Sequence, residues 1–244
     1  MSDWNSQARV ATAGRADMAV DAGLRGFMLG VFNKMGLGLL LSAALAYVTG
    51  TVPAVAALVF GTPLYFVVLF GPLAILLISS FALRNPSPTA ANIIYWAVVS
   101  LIGISLGSIV IVYGRLADGL ITVAKAFLIT AASFGALSLW GYTTKKDLSG
   151  FGTFLIMGVV GLVIASIVNM FIHSSALGFA ISAIGVLVFA GLTAFDTQRL
   201  KYMYYQVGGD ARGASVATTY GALSLYLDFI NLFLFILRLM SPRN

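Results

Sequence analysis

The chain has 244 residues, of which 60% are hydrophobic and 9% charged, and its mean hydropathy is +0.99. Soluble domains carry about 25% charged residues, so composition places this chain in a bilayer, and its length suits a single membrane domain. Cysteine is absent, which excludes thiol catalysis, disulfides and thiolate metal sites; glutamate is absent too, leaving eight aspartates and one histidine, His173. The net charge of +6 comes from cations scattered between apolar segments rather than gathered on one face, which argues for membrane topology and against a nucleic-acid partner.

Residues 1–25 are polar and mixed in charge, with Arg9, Arg15, Arg25, Asp3, Asp17 and Asp21, and contain no apolar core for a signal peptidase. They read as a polar cytoplasmic tail ahead of a transmembrane domain over 26–244. Seven apolar segments follow, at about 26–50, 61–83, 90–113, 119–143, 150–172, 176–204 and 214–240, each near the roughly 20 residues that a spanning helix needs. The joints hold helix breakers: TVPAV and GTP, then RNPSP, YGRLADG, KKDLSG, the short HSS and the glycine-rich VGGDARG. The expectation is an all-α membrane protein of seven transmembrane helices.

Orientation follows from lysine and arginine, because cationic loops stay in the cytoplasm. With the N-terminus inside, Arg9, Arg15, Arg25, Lys34, Arg84, Lys145, Lys146, Arg199, Lys201 and Arg212 fall on the inner side. Arg115, Lys125, Arg238 and Arg243 fall on the outer side, and seven spans then place the C-terminus outside. A six-span arrangement with a re-entrant last segment would return the C-terminus to the cytoplasm, but it requires one apolar segment to stop halfway. GALSLW (135–140) and GALSLY (221–226) share five residues three spans apart. This is either a trace of an inverted repeat or the ordinary small-residue content of membrane helix interfaces.

Two acidic residues lie inside spans. Asp228 sits within GALSLYLDFINLFLFILRLM (221–240), where a carboxylate costs at least about 2.5–3.5 kcal/mol on insertion scales and usually faces the bundle interior. Ser224 and Asn231, at i−4 and i+3, share its face, and the rest of the segment is Leu, Phe and Ile. Asp196 lies in LTAFDTQRL near the inner end of the sixth span. At 1.5 Å per residue, Asp196 is about 12 Å before Tyr204 and Asp228 about 15–20 Å into the last span, so two antiparallel helices bring them to similar depth in the inner half of the membrane. Carboxylates that meet in poorly solvated surroundings do not both stay ionised, and a shared proton near physiological pH makes a pH sensor. Fully deprotonated, their four oxygens suit transient binding of a hard cation such as calcium. The plainer alternative is that each Asp caps a neighbouring helix or bonds Ser, Thr or Asn across an interface.

GLTAFDTQRLK (191–201) and ALSLYLDFINLFLFILRL (222–239) resemble the last two spans of the Bax inhibitor-1, or transmembrane Bax inhibitor motif, family. GALSLWGYTTKKDLSG (135–150) is similar to the fourth-span segment of its bacterial branch, and the likeness covers about residues 24–240. The resemblance implies six helices surrounding the seventh, and a pH-sensitive calcium leak with calcium as permeant ion and no cofactor. It implies that Asp196 and Asp228 form the pH-sensing pair at the inner gate, and that Arg84 is the arginine able to pair with them. It also implies a bacterial inner membrane and, as a further partner beside the lipid bilayer, the membrane protease FtsH bound through residues 1–25. The chain departs from some members in having no glutamate along its second span, FVVLFGPLAILLISSFALR (66–84).

Other readings of the same residues are weaker. An intramembrane aspartyl protease carries Tyr-Asp and Gly-x-Gly-Asp motifs; here Phe195 precedes Asp196, while Leu225, Tyr226 and Leu227 precede Asp228. A membrane serine protease needs a facing Ser and His, whereas His173, Ser174 and Ser175 form a loop between spans. Phe229, Phe233 and Phe235 read as packing or lipid-facing residues, and Asn33, Lys34 and Asn92 as facing water or headgroups at the inner surface. A non-conducting regulator of membrane machinery would survive Asp228→Asn; a gated leak would not.

Overall fold

The computed structural model of the chain describes residues 3–82, 85–207 and 209–241, without the side chains of residues 3–21 and 82. Among the described residues all regular structure is α-helix: α1 (Asp3–Thr51), α2 (Pro53–Phe60), α3 (Leu64–Ala82), α4 (Pro88–Gly114), α5 (Gly119–Thr143), α6 (Ser149–Ile172), α7 (Ser175–Val207) and α8 (Ala211–Met240). Seven are long and apolar enough to cross a membrane, within a few residues of the seven segments expected. The eighth, α2, has 8 residues and lies in the first joint, where Pro53 sits at the helix start, a position that needs no backbone N–H. Helix α1 begins at Asp3, well ahead of its crossing stretch, which begins at Ala22.

Helix α8 is the most enclosed: 56% of its most apolar stretch is buried, against 11% for α3 and for α6. Helices α1, α4, α5 and α7 pack directly on it, while α3 leans on α4 and α6 on α7. The last helix is therefore central, with four immediate neighbours and two outer ones. We call the end formed by the start of the α1 crossing stretch and the 143–149 and 207–211 turns the basal end.

Close helix approach depends on small residues, because lipid supplies no hydrophobic drive between helices. A Cβ at Gly103 of α4 would lie 2.6 Å from the Ser42 Cα of α1, and one at Gly107 would lie 2.7 Å from the Thr49 Cβ. Gly141 of α5 likewise abuts the Ala194 backbone of α7. The fully buried Tyr95, Leu200, Leu225, Tyr226 and Leu232 fill the space around α8. Phe229 packs its ring edge-to-face with Phe127 and Phe134, both at 5.4 Å, and Phe233 meets Phe127 at 6.2 Å, so these aromatics are internal packing between α5 and α8.

Helix ends follow local chemistry. The Ser87 hydroxyl accepts from the Ala90 N–H (3.1 Å) at the start of α4, and Asp210 accepts from the Arg212 and Gly213 N–H groups (3.0 and 2.9 Å) at the start of α8. Buried Gln198 of α7 pins the basal 144–148 turn: the Leu148 N–H donates to its Oε1 (2.8 Å) and its Nε2 donates to the Lys146 carbonyl (2.8 Å). In the same turn Asp147 accepts from the Ser149 N–H (2.9 Å), and hydrogen bonding from the Ser149 side chain and backbone holds its carboxyl below the usual range.

Candidate functional site

Asp196 on α7 and Asp228 on α8 are 5% and 6% exposed, and both line one cavity of about 680 Å³ together with Arg199 and Asn231. Depth counting along two antiparallel helices thus places them correctly. The i−4, i, i+3 stripe of α8 also holds: Asn231 lines the cavity and donates Nδ2 to the Leu227 carbonyl (2.8 Å), while Ser224 reaches toward Asp196.

The counter-ion is Arg199. Its Nη1 lies 3.2 Å from Asp196 Oδ1, its Nη2 donates to the Ser224 hydroxyl (3.0 Å), and its guanidinium sits over the Phe195 ring at 5.8 Å. Arg84, the partner that the family resemblance implies, lies outside the described residues. Reading Arg199 only as a topology charge missed its pairing. The signal was the i,i+3 spacing in DTQR, which stacks Asp196 and Arg199 on one helix face.

Asp228 Oδ2 is buried without a hydrogen-bond partner. An orphaned carboxylate oxygen at membrane depth is an expensive feature that a packing role does not need, since a packing role would satisfy it. The cavity is walled by Leu73 of α3 and Leu162 and Ile167 of α6 as well as α7 and α8. Helices α3 and α6, which both contribute to this wall, do not pack closely on each other. Toward the basal surface a second cavity of about 760 Å³ is lined by Asp147, Gln198 and Tyr202. Phe195 and Arg199 line both cavities and stand between them.

Among the described residues no three His, Cys, Asp or Glu side chains gather as a metal cage. Two carboxylates and the Asn231 amide offer few of the 6–8 oxygens that calcium takes, so the donor set fits a passing hydrated ion better than a resident one. His173 ends α6 with φ of 55° and its Nδ1 faces the Phe171 carbonyl (3.2 Å), whereas the Ser174 hydroxyl accepts from the Leu177 N–H (3.3 Å) at the start of α7. These are helix-terminating contacts of a loop. Helix α8 runs unbroken through Asp228, with no unwound strand beside it.

A separate polar cluster occupies the opposite face of α8. Lys34 Nζ donates to the Asn92 side chain and to the Thr219 hydroxyl (2.7 Å), tying α1, α4 and α8, and the Tyr95 hydroxyl donates to the Lys34 carbonyl (2.7 Å). Lys34 and Asn92 are each half-buried, so beside the expected water- or headgroup-facing position they make bonds that link three helices. Hydropathy along one helix cannot show that a lysine has acceptors on two others. Farther along, Ser42 bonds the Tyr226 hydroxyl (2.7 Å) and donates to the Val99 carbonyl (3.0 Å).

Comparison with known proteins agrees with this architecture. The family profile described as "Inhibitor of apoptosis-promoting Bax1" matches residues 24–244. A protein of Caulobacter vibrioides is 57% identical, with 97% of each chain covered. Protein RP147 of Rickettsia prowazekii is 42% identical over 92% of each chain, and the inner membrane protein YbhL of Escherichia coli is 42% identical over 94% of this chain and 98% of its own. With its seven crossing helices and this match over nearly its whole length, the chain is a multi-pass membrane protein that belongs to the Bax inhibitor-1 family.

Proposed function

We propose that this protein is a pH-sensitive cation leak, with calcium as permeant ion, in which Asp196 and Asp228 sense protons and gate the path. The observation that carries this reading is the buried, unpartnered Asp228 Oδ2 facing a cavity that it shares with Asp196, with Arg199 and Phe195 between that cavity and the basal vestibule. Protonation of the pair weakens the hold of Asp196 on Arg199 and changes the charge that a cation meets. Ser224 and Asn231 supply neutral oxygens and orient the side chains.

The membrane is proposed to be a bacterial inner membrane, by likeness to YbhL, with a polar N-terminal tail in the cytoplasm and the C-terminus outside, by the excess of basal cations. The basal vestibule is then the cytoplasmic mouth. The test is calcium flux into dye-loaded liposomes across pH 5–8, beside Asp196→Asn and Asp228→Asn. A pH-dependent flux that either substitution flattens is expected; flux no higher than in protein-free liposomes at every pH overturns the reading.

A second reading, a non-conducting regulator of a membrane protease such as FtsH, is favoured by one feature: α1 begins at Asp3 and extends beyond its crossing stretch. It makes a different forecast, since protease restraint would survive Asp228→Asn and be lost on removal of residues 1–21.

A further inference from the structure

Helices α1 and α5 both pack on α8 but not closely on each other, and the slot between them has a volume of about 400 Å³, lined by Arg25, Met28, Phe32, Gly135, Ser138 and Tyr142 among others. This is within the range of small-molecule sites. Ser138 is 5% exposed and its Oγ is buried with no hydrogen-bond partner. On the same helix, Thr130 satisfies its hydroxyl by donating to the Ala126 carbonyl four residues back (2.7 Å). Ser138 has the same option in principle and does not take it.

Gly135 lies about one turn deeper on the slot wall, and a Cβ added there would meet nothing within 4 Å. This contrasts with Gly103 and Gly141, whose missing Cβ atoms let helices touch. Gly135 is exposed, so the space beside it is open to the surrounding lipid. At the basal mouth, Arg25 is exposed and makes no ion pair among the described residues. Lys201 of α7 does not line the slot itself but holds Tyr142, which does: it sits over the Tyr142 ring at 5.6 Å and donates to its carbonyl (3.4 Å). Among the described residues no acidic side chain lines the slot.

The order along α5 is therefore cations at the mouth, a free hydroxyl about 6 Å deeper at Ser138, and an open apolar channel about 10 Å deeper at Gly135, at 1.5 Å per residue. We infer that this slot binds one anionic glycerophospholipid of the basal leaflet, its phosphate at Arg25 and Lys201, an ester carbonyl accepting from Ser138 Oγ, and one acyl chain along Gly135. Charge complementarity selects an anionic headgroup, because each nearby cation adds attraction to acidic lipid that a zwitterionic headgroup returns only weakly. Gly141, one turn from Ser138, packs on Ala194 two residues before Asp196, so the bound lipid braces the α5–α7 contact next to the carboxylate pair.

The test uses the full chain, stripped of lipid in detergent, with phosphatidylglycerol, phosphatidylcholine and inorganic phosphate added separately, read by native mass spectrometry and thermal unfolding. One phosphatidylglycerol per chain and a concentration-dependent rise in Tm are expected, with a smaller response to phosphatidylcholine and none to phosphate. Arg25→Gln, at an exposed position, weakens phosphatidylglycerol binding about fivefold. Gly135→Leu fills the slot and removes the adduct, with unfolding in lipid-free detergent as its folding control. Should that variant not fold, Ser138→Ala and Arg25→Gln carry the test. Equal binding of both lipids, undiminished binding in all the variants, an equal response to phosphate, or a slot that instead joins two copies of the chain overturns the inference.

Discussion

The two faces of α8 are both polar, yet one is closed and the other open. Toward α1 and α4, Thr219 and Tyr226 meet Lys34, Asn92 and Ser42 in a network whose hydroxyls and amine find partners, under glycines that bring the backbones together. Toward α7, Asp228 and Asn231 face a cavity, Ser224 accepts from Arg199, and Asp228 Oδ2 finds no partner. The contrast separates polar groups that specify packing from polar groups held ready for something that arrives from outside. In a bilayer a fully satisfied network rigidifies a helix interface, whereas an orphaned carboxylate destabilises it and persists only under another constraint.

Substitutions on the two faces should therefore behave oppositely. Gly103→Leu drives a side chain into the Ser42 backbone on the closed face and should destabilise by about 3 kcal/mol or more. Thermal unfolding in detergent measures this, and a Tm like that of the parent would show that α1 and α4 are not held by this contact. Gln198→Ala removes both bonds to the 144–148 turn and should cost about 1–3 kcal/mol. Hydrogen exchange at the Leu148 amide should rise with it, and unchanged protection would mean that the turn is held some other way. Tyr226→Phe deletes only the bond to Ser42, which keeps the Val99 carbonyl, so a loss of about 1 kcal/mol is expected with the pH profile of flux unaltered.

The open face should give the smallest stability change and the largest functional one. Asp228→Asn replaces a buried, unpaired carboxylate by a neutral amide, and Tm should stay equal or rise while the pH dependence of calcium flux is flattened. If Tm falls as far as in Tyr226→Phe, the Asp228 carboxyl is a packing group and the distinction between the two faces collapses.

Much of this was readable along the chain because the governing quantities belong to single helices. Apolar stretches of spanning length set the seven crossings, and the offsets of Ser224 and Asn231 from Asp228 set its stripe. Counting at a fixed rise per residue then brought Asp196 and Asp228 to one depth. Which helices become neighbours, and with what rotation, depends on side chains from several segments at once. Only the folded bundle therefore joined Lys34 and Asn92 to Thr219, set Arg199 against Ser224 of the last helix, and left a slot between α1 and α5. Helix periodicity is a local property of the backbone, whereas partner choice is decided by close packing between segments far apart in sequence.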